Sequence, residues 1–221
     1  MGREPREASG AEASSPETRV TPMARGAGGC ASDGLSETIV SSTPVYRGAI
    51  FTVDDVRVTL PDGTPARRDV IRHHGAVGVI ALTDDGKLVL VRQFRTALES
   101  VTLEIPAGKL ELGEDPADAA ARELREETGY VADRMGYLCP FVPAAGYSDE
   151  VLHLYMAAGL RFVGASPDDD EFINVELVPL GEMVDRVLDG KVCDSKTMAA
   201  VLLCDEIRRR MAEGEDVSAH V

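Results

Sequence analysis

Three glutamates, Glu123, Glu126 and Glu127, stand at i, i+3 and i+4 within the segment GKLELGEDPADAAARELREETGY, residues 108–130. At 3.6 residues per turn they share about a third of a helix's circumference. Like charges at that spacing repel, at a cost on the order of a few tenths of a kcal/mol per pair. Hard divalent cations with oxygen ligands relieve the repulsion, which points to Mg²⁺ or Mn²⁺. A solvated acidic face is the ordinary alternative for an acidic helix. A second acidic run, Asp168-Asp169-Asp170-Glu171, is either a solvated loop or a source of a carboxylate that accepts a proton.

The elements that must position these acids are legible in part. Asp115 suits an N-cap, Pro116 the first helical position, and Asp118 the positive end of the helix dipole. Gly129 suits the left-handed stop, so a helix is expected over about 115–128 with Ala117, Ala121, Leu124 and Thr128 on its packed side. Strand patterns begin near residue 38 and continue through Ala49–Val53 and Val56–Leu60 to a turn at Pro61-Asp62-Gly63-Thr64. Ala76–Leu82 is an unbroken apolar run, as in a strand buried on both faces. Asp84-Asp85-Gly86 marks a hairpin into Leu88–Val91, and Val101–Ile105, 151–160 and 172–178 add further strands. Two more helices are expected. One spans 180–189, with Leu180, Met183, Val184, Val187 and Leu188 in a stripe. The other runs from Ser195 to about Met211. Strands mixed with few helices indicate an α/β (α+β) domain in layers.

Composition bounds the rest. The chain has 221 residues, 23 Lys+Arg against 38 Asp+Glu, and a formal net charge of −15. That balance argues against non-specific binding to nucleic acid or to anionic membranes, but a bridging divalent cation still admits an anionic substrate. No apolar run approaches a membrane span. Cys30, Cys139, Cys193 and Cys204 lack CxxC spacing, so reduced thiols and a cytoplasmic location are expected. Residues 1–36 contain no aromatic residue and no apolar stretch of a secretory signal. They are expected to form a disordered tail, with Met23 as an alternative start. The domain organisation expected is tail 1–36, one domain over 37–214, and a flexible C-terminus over 215–221.

The spacing of fixed residues is more specific than the charge pattern. Gly108, Glu114, Arg122-Glu123, Glu126-Glu127 and Gly129 resemble the Nudix box at all seven of its fixed positions. Chance agreement is on the order of one in 10⁸ per register. Tyr130 departs from the aliphatic residue usual at the final position. The order of elements over roughly 38–212 is similar to that superfamily. The resemblance implies a Nudix-type α/β/α sandwich with a mixed β-sheet, and hydrolysis of a nucleoside diphosphate linked to another moiety. It implies metal ligation by Glu123, Glu126, Glu127 and the Ala107 carbonyl. Gly108 would let the loop pass close to the metal, and Glu114 and Arg122 would orient the carboxylates.

Leu103–Gly108, Pro143–Glu150 and Val91-Arg92-Gln93-Phe94-Arg95 resemble the ADP-ribose pyrophosphatase branch. Ala144-Ala145 stand where that branch usually carries a Ser and a second Pro. The resemblance implies Mg²⁺-dependent cleavage of ADP-ribose to AMP and ribose 5-phosphate. Arg95 would then meet substrate phosphate, and Glu104, Ser148 and Glu150 would contact substrate. Glu171, or else Asp169, would serve as base beside the metal-bound Glu127. Another nucleoside-diphosphate sugar (GDP-mannose, ADP-glucose) is the alternative substrate, and a non-catalytic nucleotide-sugar sensor the alternative function. A homodimer through residues 38–60 is implied, with Phe51 and Tyr46 both open as aromatic partners of adenine.

Overall fold

The computed structural model describes residues 34–165 and 172–217. The expected tail therefore lies outside the described residues up to position 33, and so does the acidic run with Asp169 and Glu171. At the other end residues 215–217 are described, and Val217 is buried.

Strand β4 (Ala76–Ala81) is buried along its whole length, as its unbroken apolar sequence requires. It pairs in parallel with β9 (Leu152–Phe162), from Ala76 opposite Leu152 to Ala81 opposite Ala157. On its other side it pairs antiparallel with the short β7 (Ala107–Lys109), and β8 (Tyr130–Phe141) closes the far edge against β9. The result is a mixed four-stranded sheet in the order β7-β4-β9-β8. A second sheet has the order β10-β5-β6, from β5 (Lys87–Arg95), β6 (Ser100–Glu104) and β10 (Asn174–Pro179).

Alternation along the strands assigns two cores. Val77, Val79, Ala81 and Val89 pack with Ala119, Ala120 and Leu124 of α1 (Pro116–Thr128). Ala76, Ile80, Leu88 and Leu90 point the other way, onto Leu180, Met183 and Val187 of α2 (Leu180–Leu188) and Ala200, Val201 and Cys204 of α3 (Ser195–Ala212). One helix on one face and two on the other make the expected α/β/α sandwich. Within the stripe expected of α2, Leu188 instead faces solvent, as Leu202 does on α3.

A third sheet, β1-β2-β3, comprises β1 (Thr38–Arg47), β2 (Phe51–Thr59) and β3 (Pro65–His73). The two runs read around Phe51 and Val56 are one strand, and the turn after it is held by Asp62, whose carboxylate accepts from the Thr64 backbone N–H (2.9 Å) and hydroxyl (2.7 Å). Every residue of β1 is exposed. The loop after β8 is tied to β3: the Ile71 N–H donates to Tyr147 O and the Asp149 N–H to Ile71 O.

Candidate active site

Helix α1 begins and ends as its sequence requires. The Asp115 carboxylate accepts from the Ala117 N–H at 2.8 Å, Pro116 opens the helix, and Gly129 closes it with φ +74°. The packed face is rotated from the expected one. Ala119, Ala120, Leu124 and Thr128 are buried, whereas Ala117 and Ala121 are exposed. That rotation carries Glu123 and Glu127 inward, to 9% and 3% exposure, beside the half-buried Glu126.

Buried carboxylates need compensation, and each has an assigned partner. Glu127 accepts the Ala107 N–H at 2.9 Å. Arg122 Nη1 donates to Glu123 Oε1 (2.8 Å) and Glu126 Oε2 (3.0 Å), while Nε and Nη2 grip Glu114 at 2.9 and 3.0 Å. Glu114 also accepts the Glu111 N–H at 2.9 Å, fixing the loop before the helix. Hydrogen bonding to Glu114 first, and against burial also the charge of Glu123 and the hydrogen bond to Glu126, raise the Arg122 guanidinium pKa. The Arg122 bond lowers that of Glu114. Gly108 has no room for a side chain: a Cβ there would lie 1.9 Å from Glu123 Oε1.

These residues line one cleft of about 710 Å³, with Ala107, Gly108, Arg122, Glu123, Glu126, Glu127, Arg95 and Glu150 on its walls. The three expected ligand positions of one helix thus share a cavity wall, and the space opposite Gly108 is kept for a carboxylate. The donor set is hard oxygen, which fits a hard divalent cation. Among the described residues no three acid, imidazole or thiol groups are drawn together as a preformed cation cage. Arg122 instead occupies the position of counter-ion to Glu123 and Glu126.

Glu104, expected to contact substrate, sits beside Arg95. It does not line the cleft; it is 2% exposed, behind Arg95. Burial alone would raise its pKa, but Arg95, Lys196 and Thr102 outweigh burial and hold it down to about 2. Arg95 grips it through Nε (2.8 Å) and Nη2 (2.6 Å), the Thr102 hydroxyl donates at 2.5 Å, and Lys196 Nζ donates to Oε2. Both oxygens of this carboxylate are thus occupied by charge-assisted bonds. Ser148 is likewise absent from the cleft lining; its Oγ accepts the Glu150 N–H at 3.2 Å and so shapes the turn that delivers Glu150.

Sequence reasoning missed Lys196, His73, His74 and Gln93 on the cleft walls. His73 Nδ1 accepts the Gly75 N–H at 3.0 Å and lies 3.8 Å from Glu150 Oε1. Gln93 alone carried a signal, as part of the run ending in Arg95. Lys196 lies 92 residues from Glu104 and carried none.

A family model described as NUDIX domain matches residues 72–201. The chain belongs to the NUDIX domain family. The NUDIX chain is 41% identical to a methanol dehydrogenase activator of Bacillus methanolicus and 38% identical to an ADP-ribose pyrophosphatase of Bacillus subtilis. Each match covers 76% of this chain and 91% of the relative. An ADP-ribose pyrophosphatase of Mycobacterium tuberculosis is 37% identical over 80% of this chain and 86% of its own. A crystal structure of an ADP compounds hydrolase superposes with a TM-score of 0.70 at 26% identity, covering 81% of this NUDIX chain and 97% of that one. No helix among the described residues is long and apolar enough to cross a membrane.

Proposed function

We propose that this NUDIX protein hydrolyses the diphosphate bond of ADP-ribose to AMP and ribose 5-phosphate, with Mg²⁺ as its working cation. The observation that carries the reading is the α1 cluster: Glu123, Glu126 and Glu127 on one cleft wall, opened by Gly108 and charge-balanced by Arg122. Similarity over most of this chain to proteins named ADP-ribose pyrophosphatase in Bacillus subtilis and Mycobacterium tuberculosis supports ADP-ribose as the nucleoside diphosphate compound.

In this reading Glu123, Glu126 and Glu127 hold the cation with the Ala107 carbonyl. Bound there, Mg²⁺ neutralises diphosphate charge and acidifies a water. Arg95, fixed by Glu104, presents its guanidinium to a phosphate oxygen. Arg122 and Glu114 set the carboxylates' orientation. An acid of the 168–171 run, Glu171 or Asp169, takes the proton of the attacking water. The working unit is a homodimer assembled through residues 38–60, where β1 is exposed along its length, and its place is the cytoplasm.

The test is AMP release from a panel of nucleoside diphosphate sugars, with Mg²⁺ or with EDTA, for wild type and Glu127→Gln. Preference for ADP-ribose, lost in EDTA and in the variant, is the expected result. Preference for GDP-mannose would replace the substrate and keep the site; turnover in EDTA would overturn the metal assignment.

A further inference from the structure

Lys196 stands in the first turn of α3, where the helix dipole disfavours a cation. Its side chain is only 15% exposed, yet it lines the same cleft as the α1 acids and Arg95. Two carboxylates hold it there. Its Nζ donates to Glu104 and lies 3.0 Å from Asp194 Oδ1, and Asp194 is itself the N-cap of α3, accepting from the Thr197 N–H at 3.0 Å.

The charge count explains what such a lysine could be for. Arg95 and Glu104 form a two-pronged pair, and an isolated pair of that kind has no net charge to offer a polyanion. Adding Lys196 to the shared carboxylate leaves the group with a net positive charge. Asp194 brings the formal sum of the four side chains to zero, and the N–H groups and dipole of α3 that its carboxylate faces offset part of that negative charge.

We propose that Lys196 is a positioning residue for substrate affinity: by neutralising Glu104 it leaves the charge of Arg95 available to a nucleoside diphosphate in the cleft. The proposal rests on the diphosphate reading of the site, and it concerns binding rather than the chemical step.

The experiment titrates ADP into the intact protein in EDTA, and measures KM and kcat for ADP-ribose with Mg²⁺. Lys196→Met should bind ADP about tenfold more weakly and raise KM by a similar factor with kcat within about twofold, the pattern of lost uniform binding. Lys196→Arg should restore most of the affinity. The double variant Glu104→Gln/Lys196→Met is decisive. It should bind ADP more tightly than Lys196→Met alone, since Arg95 is no longer cancelled, whereas a packing role makes it equal or weaker. The proposal is overturned by wild-type affinity in Lys196→Met, by a double variant no better than the single, or by wild type that does not bind ADP. A wild type that binds ADP with the expected order of variants but leaves ADP-ribose intact supports the proposal and overturns the hydrolase reading.

Discussion

Gly108 matters for the atom it lacks. Because a Cβ would overlap the Glu123 carboxylate, Gly108→Ala must push that side chain off its position on the cleft wall. Hydrolysis should fall about 10²-fold or more, with the melting temperature nearly unchanged because Gly108 lies on a short edge strand. A variant of wild-type kcat would show that Glu123 does not need its observed place. At Glu104 the sign of a pH effect follows from its partners. Its folded-state pKa lies below the ordinary 4.5, so the ion group stabilises the fold fully above that pH and is lost as pH falls towards 2. Glu104→Gln should cost on the order of 3 kcal/mol at pH 7 and flatten the acid limb of a denaturant-melt series between pH 5 and 2. The box residues were legible in the sequence because they lie within about two dozen positions of one another. The burial of Glu104 was not, because one of its cations comes from 92 residues away.

At the scale of the element, α1 has two sharp ends. Asp115→Ala removes a cap bond and should lower stability by about 1 kcal/mol in thermal melts. Gly129→Ala should cost more. Its φ of +74° is left-handed, and a Cβ would sit 2.5 Å from the Ala165 backbone nitrogen. An equal effect of the two substitutions would show that the 164–165 backbone yields freely. Both ends were readable because capping is local. The packed face was read one step out of phase, with Ala117 and Ala121 in place of Ala119 and Ala120, since alanine fits core and surface alike. Strand β8 escaped the sequence reading for a different reason. It carries Gly136 and Pro140, and its pairing with β9 shifts register between Tyr137 and Cys139, so no alternation survives along it. Strand β3 hides behind Arg67-Arg68-Asp69, which face solvent.

For the whole molecule, β1 and the turn that follows it carry a run of exposed apolar residues: Ile39, Val40, Val45, Tyr46 and Ile50 all lie open. A homodimer through that surface should give twice the 23.6 kDa chain mass by light scattering. Val40→Asp/Val45→Asp should halve it, and an unchanged mass in that variant would place the interface elsewhere.

The parallel pairing of β4 with β9 also sets a timetable. The hydrogen bonds of α1 are local, but at 13 residues with three like charges it depends on its seat, and that surface includes Tyr155 and Ala157, which follow it in the chain. The ribosome therefore releases the three glutamates well before the strand that completes their seat. Closing so distant a contact is slow relative to helix formation. The acid helix is thus completed only when it docks, and catalytic competence should emerge with the final slow phase of refolding.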